Sequence, residues 1–267
     1  MRVGLFAAIA LLFFASCSDF NKVFKSKDNG LKYNKAIELF EKKDYTRSLQ
    51  LLEQLRDSYR GSDSLESVYY HTAYCHFHLQ DYEYAALFFK DYTENFTRNR
   101  KLTECAYMAV YCDFLSIGTY ELDQSNTKHV IDELQTFINY YPNSSYALKC
   151  NEHIDALRKK LYQKEYEWVK AYLQQGHYRA AVTSARNTLK TYPDIEQKEE
   201  LEYITIQAQY LYATNSIEKK KLERMKEAME NWKEYNYINS NKGTYYKEAL
   251  VLKEKIEKEL KKLQETI

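Results

Sequence analysis

The chain is 267 residues long with only 6 Gly and 2 Pro, where average usage would supply roughly 30 of the two together. Antiparallel sandwiches and barrels need turn residues about every 8–12 positions, so an all-β fold is excluded. The glycine shortage also leaves no G-x-G-x-x-G or G-x-x-x-x-G-K-[ST] loop for a nucleotide. Lys+Arg (39) balance Asp+Glu (38), so no bulk field draws in nucleic acid or an anionic membrane. Hydrophobic content of 45% is that of a globular chain, and 27 Tyr is well above the usual share.

In chain order, Met1 and Arg2 give a short positive start, and Leu5 to Phe14 is an apolar run. The run is too short to span a bilayer as a mature helix and suits a signal-peptide core over residues 1–16. Ala15 and Ser16 lead into Cys17 as in a bacterial lipobox. Cys17 is therefore expected to carry a diacylglycerol thioether and an N-acyl chain after cleavage. The alternative is an ordinary secretory signal beside a coincidental cysteine. Each buried methylene of such a lipid contributes about 0.8 kcal/mol of membrane binding. No later stretch approaches the length of a spanning helix. Ser18, rather than Asp, after the lipidated residue fits sorting to the outer membrane. Residues 17–30 read as a lipid-anchored, flexible polar leash.

Beyond Leu31 amphipathic helices follow one another at short intervals. Lys32–Lys43 carries Tyr33, Ala36, Ile37 and Phe40 at helical spacing and stops at Asp44-Tyr45. A partner helix follows with Leu49, Leu52 and Leu55. The pattern returns as Leu65–Leu79, then Asp81-Tyr82, then Ala85, Phe88, Phe89 and Tyr92. Tyr45 and Tyr82 are 37 residues apart, near the 34-residue period of a tetratricopeptide (TPR) repeat. The unit recurs at Gly176-His177-Tyr178-Arg179-Ala180-Ala181, closing on Tyr192-Pro193, and a half-matching unit ends at Tyr140-Tyr141-Pro142-Asn143-Ser144. At each turn an aromatic packs back on the first helix. A small residue three positions later (Ser48, Ala85, Ala181) lets the two helices approach.

Five units are expected, near 32–59, 64–96, 101–141, 146–192 and 197–236. The third has an irregular turn over Gly118–Asn126, and the fourth opens on an unbroken helix from Tyr146 to Gln175. A terminal helix, Tyr245–Gln264, sets Leu252, Ile256, Leu260 and Leu263 on one side and caps the array. The fold class is all-α: a superhelical array of about five degenerate TPR hairpins with a C-terminal capping helix.

Cys75, Cys105, Cys112 and Cys150 form no C-x-x-C pair and no disulfide framework. They read as buried small hydrophobes, with their redox state left open. His71, Cys75 and His78 sit at i, i+4 and i+7, which could present three metal ligands on one face; no fourth ligand is supplied, and no metal is assigned. No H-E-x-x-H, G-x-S-x-G or kinase motif occurs, so no catalytic residue is assigned. Runs such as Lys219-Lys220-Lys221 read as exposed helix faces.

The segment Tyr141-Pro142-Asn143-Ser144-Ser145-Tyr146 resembles the Y-P-N-S-x-Y of the BamD family, TPR lipoproteins of the β-barrel assembly (BAM) machinery. The likeness continues through Leu157-Arg158, Tyr166-Glu167, Gln175-Gly176-His177-Tyr178, Ala180-Ala181-Val182 and Thr191-Tyr192-Pro193-Asp194. It is dense over 140–195 and pattern-level elsewhere. The abundant Tyr and Phe and the two Asp-Tyr turns resemble Bacteroidota members. The resemblance implies a non-enzymatic scaffold on the outer membrane, its body in the periplasm, with no cofactor beyond the lipid on Cys17. Implied partners are a BamA-like POTRA-bearing barrel protein, other BAM lipoproteins and unfolded outer-membrane protein segments; no nucleic acid is implied.

Mapped onto this chain, residues 31–100 (repeats 1–2) would be the client side, 101–236 (repeats 3–5) the partner-binding half and 237–267 the cap. Client-groove candidates on the first helices are Tyr33, Asn34, Tyr70, His71, Tyr74 and His78. Tyrosine offers large contact area at low entropic cost, although a Tyr stripe at helical spacing also serves packing. Partner-interface candidates are Arg179 and Arg186. Two alternative functions are a periplasmic TPR lipoprotein adaptor for peptidoglycan enzymes and a SusD-like glycan-binding lipoprotein. The second belongs to much longer chains with Trp-rich insertions, and this chain has 2 Trp.

Overall fold

A computed structural model describes residues 19–62, 64–240 and 242–265. Cys17 and the apolar run before it lie outside the described residues. Residues 19–25 form a short helix, α1. It is followed by α2 (Asn29–Glu41), α3 (Tyr45–Ser58), α4 (Ser64–His78), α5 (Tyr82–Asn95), α6 (Leu102–Ser116) and α7 (Ser125–Tyr140). Then come α8 (Tyr146–Gln174), α9 (Tyr178–Thr191), α10 (Lys198–Thr214), α11 (Glu218–Asn239) and α12 (Tyr246–Glu265). The described residues contain no strand, and the fold is all-α and TPR-like, as the repeat spacing predicts.

The hairpin turns share one backbone device. Lys43 (φ 62°), Gln80 (φ 61°) and Gly176 (φ 78°) each take the left-handed conformation just past a first helix. The next residue's N–H then reaches back to a helix carbonyl: Asp44 to Leu39 at 2.8 Å, Asp81 to His76 at 2.9 Å, His177 to Tyr172 at 2.9 Å. These bonds satisfy carbonyls that the helix end would otherwise leave open. Asp44 then caps α3 by accepting from the Arg47 N–H at 3.2 Å. The following aromatic does fold back: Tyr45 meets Phe40 at 5.4 Å and Tyr82 meets Phe77 at 5.9 Å between ring centroids. Ser48, Ala85 and Ala181 are fully buried, and the Ser48 hydroxyl donates to the Ala36 carbonyl at 2.8 Å.

The helices pack into two compact units. The first runs to Gly118 and resumes over Ser125–Asp155; the second comprises Thr119–Gln124 and everything from Ala156 onward. The boundary expected at 100/101 therefore falls inside the first unit. Lys90 of α5 crosses that expected boundary, its ammonium bonding Asp113 of α6 at 2.9 Å and Glu133 of α7 at 3.0 Å. The third hairpin is thus tied to the second. The segment expected to be a leash over 17–30 includes α1. Phe20 and Val23 of α1 are buried in one cluster with Ala36, Leu39, Leu51, Leu52, Leu55, Val68 and Cys75, so residues 19–25 are a docked helix.

In the second unit, Tyr166 and Val169 of α8 pack with Ala185 of α9 and with Leu201 and Ile204 of α10. The loop 119–124 is held against α8 by Lys164, whose ammonium donates to the Leu122 carbonyl at 2.5 Å. Helix α12 packs Leu252 and Ile256, with Leu260 and Leu263 partly covered, against Ile206, Met225 and Tyr235. Its start is pinned by Glu199, which accepts from the Tyr245 N–H and the Tyr235 hydroxyl, both at 2.8 Å. Gly243 sits at this point because a Cβ there would come within 2.3 Å of the Glu199 carboxylate.

Candidate partner-binding surfaces

Five of the six client-side candidates enter one aromatic and polar lattice on the first helices of the first unit. The repeat places position i of one first helix beside position i+34 of the next. Tyr33 on α2 and Ser67 on α4 share a hydroxyl hydrogen bond of 2.7 Å. Tyr70 on α4 donates to Glu104 on α6 at 2.9 Å. Tyr74, one turn further along α4, donates to the same Glu104 oxygen. Burial, then the Glu104 carboxylate, pushes both phenols far above their usual range, so they are neutral donors. Lys101 lies 3.7 Å above the Tyr70 ring, a cation–π contact that sets an ammonium on the face of this phenol.

His71 places Nδ1 2.7 Å from the Ser67 carbonyl. A carbonyl only accepts, so Nδ1 carries the proton. Burial holds the imidazole below its ordinary pKa, with the Ser67 bond opposing and Lys101 adding to the effect. Phe40 meets the His71 ring edge-on at 4.9 Å. His78 is exposed at the end of α4 but stacks on Tyr45 at 4.2 Å and 15°. Asn34 is exposed on α2 and stands apart from this lattice. The four cysteines are free and buried. Burial pushes the thiols of Cys75, Cys105 and Cys112 up to about 12 and that of Cys150 to about 11. At neutral pH they are inert thiols. Among the described residues no three His, Cys, Asp or Glu side chains converge as a metal site. The lattice can offer ring faces, one carboxylate and one ammonium to a bound segment.

Arg179 and Arg186, both exposed on α9, are brought together at one groove of 320 Å³ in the second unit. Its other cations are Lys220 and Arg224 of α11, and its carboxylates are Glu223 and Glu227. The excess is positive. Arg224 lies 4.0 Å over the Tyr212 ring of α10 and donates to Ser216 Oγ at 2.5 Å. Arg186 donates to Asn231 Oδ1 at 2.7 Å. Lys220 pairs with Glu223 at 2.7 Å, and Glu227 accepts from Gln209 at 2.7 Å. Arg179 makes no ion pair among the described residues. It also borders a wider recess of 850 Å³ with His177, Tyr178 and Asn215. Such a groove suits an acidic or carbonyl-rich partner surface, with Arg179 supplying fork-shaped donors.

Glu104, Ser67 and Lys101 on one surface, and Tyr212, Lys220 and Arg224 on the other, were not among the residues singled out by sequence. The 34-residue offset from Tyr70 and from Tyr33 is the signal that points to Glu104 and Ser67. In sequence Lys220 lies inside the run Lys219-Lys220-Lys221 and looks like an ordinary solvated lysine.

Residues 26–241 match the family model described as YfiO, outer membrane lipoprotein. The chain is similar to proteins named outer membrane protein assembly factor BamD. One from Pasteurella multocida (strain Pm70) is 24% identical over 207 residues, covering 73% of this chain and 79% of the relative. The relative from Vibrio cholerae serotype O1 is 23% identical over 225 residues, covering 80% and 92%. That from Rickettsia prowazekii (strain Madrid E) is 22% identical over 213 residues, covering 80% and 82%. Among solved structures it is similar to a TPR repeats protein from Bacteroides fragilis NCTC 9343, with 15% identity, 87% and 99% of the two chains covered, and a TM-score of 0.38.

Proposed function

We propose, for a chain that belongs to the YfiO family of outer membrane lipoproteins, that it is a scaffold of outer-membrane protein assembly with no chemistry of its own. The observation that carries this is the extent of the family match, which spans all of the first unit's hairpins from α2 on and most of the second unit. Three relatives named as assembly factors support it, each aligned over more than two-thirds of both chains.

In this reading Cys17 carries the lipid and the body lies in the periplasm. No helix among the described residues is long and apolar enough to cross a membrane, which fits a lipid as the anchor. The aromatic lattice of α2, α4 and α6 receives extended segments of unfolded barrel proteins, using Tyr33, Asn34, Tyr70, His71, Tyr74 and His78 with Glu104 and Lys101. The arginine groove of α9–α11 faces a POTRA-bearing, BamA-like barrel protein. Inert thiols and hydrogen-bonded phenols suit a binding role better than a catalytic one.

The test is conditional depletion of the chain in its own host, followed by quantitative proteomics of the outer membrane. Integral β-barrel proteins should fall together while lipoproteins of the same membrane hold their level. Unchanged barrel proteins, with peptidoglycan composition altered instead, would replace this reading by that of an envelope-enzyme adaptor.

A further inference from the structure

We propose that α1 and the two residues that follow it form a contact surface for anionic lipid headgroups, seating the first hairpin directly on the membrane. The choice of a lipid surface as the partner rests on the Cys17 anchor of the function proposed above; the headgroup contact is a separate property of the described residues.

Chain connectivity gives the first reason. Asp19, the first described residue of α1, is two positions beyond Cys17, and two residues of chain reach at most about 7 Å in any conformation. A lipid on Cys17 therefore keeps the start of α1 at the headgroup layer. The second reason is that α1 is not free to swing away. Phe20 and Val23 are buried at 8% and 7% exposure in the core of the first hairpin. Arg47 of α3 lies over the Phe20 ring at 5.7 Å, and Lys35 of α2 bonds Asp19 at 3.6 Å. Whatever α1 touches, the hairpin touches with it.

Charge supplies the third reason. At about 100° per residue, Lys22 and Lys25 project from the side of α1 opposite Phe20 and Val23, and Lys27 follows just beyond the helix. All three are exposed, and none makes an ion pair among the described residues. The nearby acids are occupied: Asp19 by Lys35, and Asp28 by the Leu31 N–H, which it accepts at 2.9 Å to cap α2. Three unpaired ammonium groups thus stand within a few residues of the anchor, on the face that the core does not use. Phosphate-bearing headgroups are the anions that this position supplies. Each lysine near such a surface strengthens binding about fivefold, so the patch sets orientation, while the acyl chains supply retention.

The experiment uses the mature chain with Cys17→Ser, purified without lipid, in co-flotation with phosphatidylglycerol–phosphatidylcholine vesicles and with phosphatidylcholine vesicles alone. The expected result is flotation only with phosphatidylglycerol, its loss at about 1 M NaCl, where screening reaches within about 3 Å, and at least a tenfold weaker partition for K22Q/K25Q/K27Q with an unchanged melting curve. Flotation that ignores phosphatidylglycerol, or that survives the triple substitution, overturns the proposal. If the triple variant folds poorly, K25Q alone, an exposed position that leaves the buried Phe20 and Val23 untouched, should still weaken the partition several-fold, and an unchanged partition overturns the proposal. Fatty-acid labelling of the Cys17 parent is read separately, so a missing anchor and a missing headgroup contact are told apart.

Discussion

Tyr70 and Glu104 stand 34 residues apart and are joined by a 2.9 Å hydrogen bond between neighbouring first helices. Tyr74 donates to the same carboxylate oxygen, so one acidic side chain ties two phenols to the next repeat. Glu104→Ala leaves both hydroxyls half-buried without their acceptor and should cost about 1–3 kcal/mol, read from urea unfolding. Tyr70→Phe should cost less, and the double variant less than the sum of the two. Strict additivity would mean that the bond does not couple the repeats.

Turn geometry predicts different responses to substitution at equivalent positions. Gln80 has a side chain in the left-handed region (φ 61°), whereas Gly176 occupies the same place with none (φ 78°). Gln80→Gly should raise stability, or leave it unchanged as chain entropy offsets the relief. Gly176→Ala should lower it by about 1 kcal/mol. A Cβ at Gly176 meets nothing closer than the Tyr178 ring at 3.9 Å, so the cost is in the backbone alone. Thermal melts that show Gly176→Ala neutral would contradict the shared turn.

Protonation of three histidines gives a pH dependence. Burial lowers the pKa of His71, His78 and His153 below the ordinary 6.5. Each is therefore harder to charge in the folded chain than in the unfolded one. Their contribution is complete above the unfolded value and is lost as pH falls through 6.5 toward the lower folded values. The melting temperature should drop between about pH 7 and pH 5, and His71→Gln should flatten part of that slope. A melting temperature that rises on acidification would reverse the sign.

Phe20 holds α1 in place, so Phe20→Ala should release that helix before the rest of the unit. Amide exchange should show lost protection over 22–25 with the α2–α3 core still protected. Unchanged protection at 22–25 would mean that Val23 suffices.

Much of this architecture is visible in the sequence because the TPR motif is local: the Asp-Tyr turns, the small residues at Ser48, Ala85 and Ala181, and the long α8 all follow from spacing over a few turns. What escaped has a physical reason as well. Helix α1 offers only Phe20, Val23 and Phe24 in a polar stretch, too few for a periodic signal, and docks because a hairpin face is open to receive it. The ties that hold the third hairpin to the second, such as Lys90 of α5 to Asp113 of α6 and Glu133 of α7, join elements far apart in sequence. Glu104 and Lys220 look like ordinary solvated charges until their neighbours one repeat away are in place. Arg179 and Arg186, chosen for their position in the densest matching segment, do share a groove, but Tyr212 and Arg224 that complete it come from the next two helices.

A scaffold of barrel-protein assembly should carry its partners with it through affinity isolation of the tagged, lipidated protein from mildly solubilised envelopes, read by mass spectrometry of the eluate. A near-stoichiometric POTRA-bearing barrel protein is the result expected, weakened when Arg179 and Arg186 are both changed to Glu. Peptidoglycan enzymes or a nutrient transporter in its place, with no POTRA protein, would contradict a role in barrel-protein assembly.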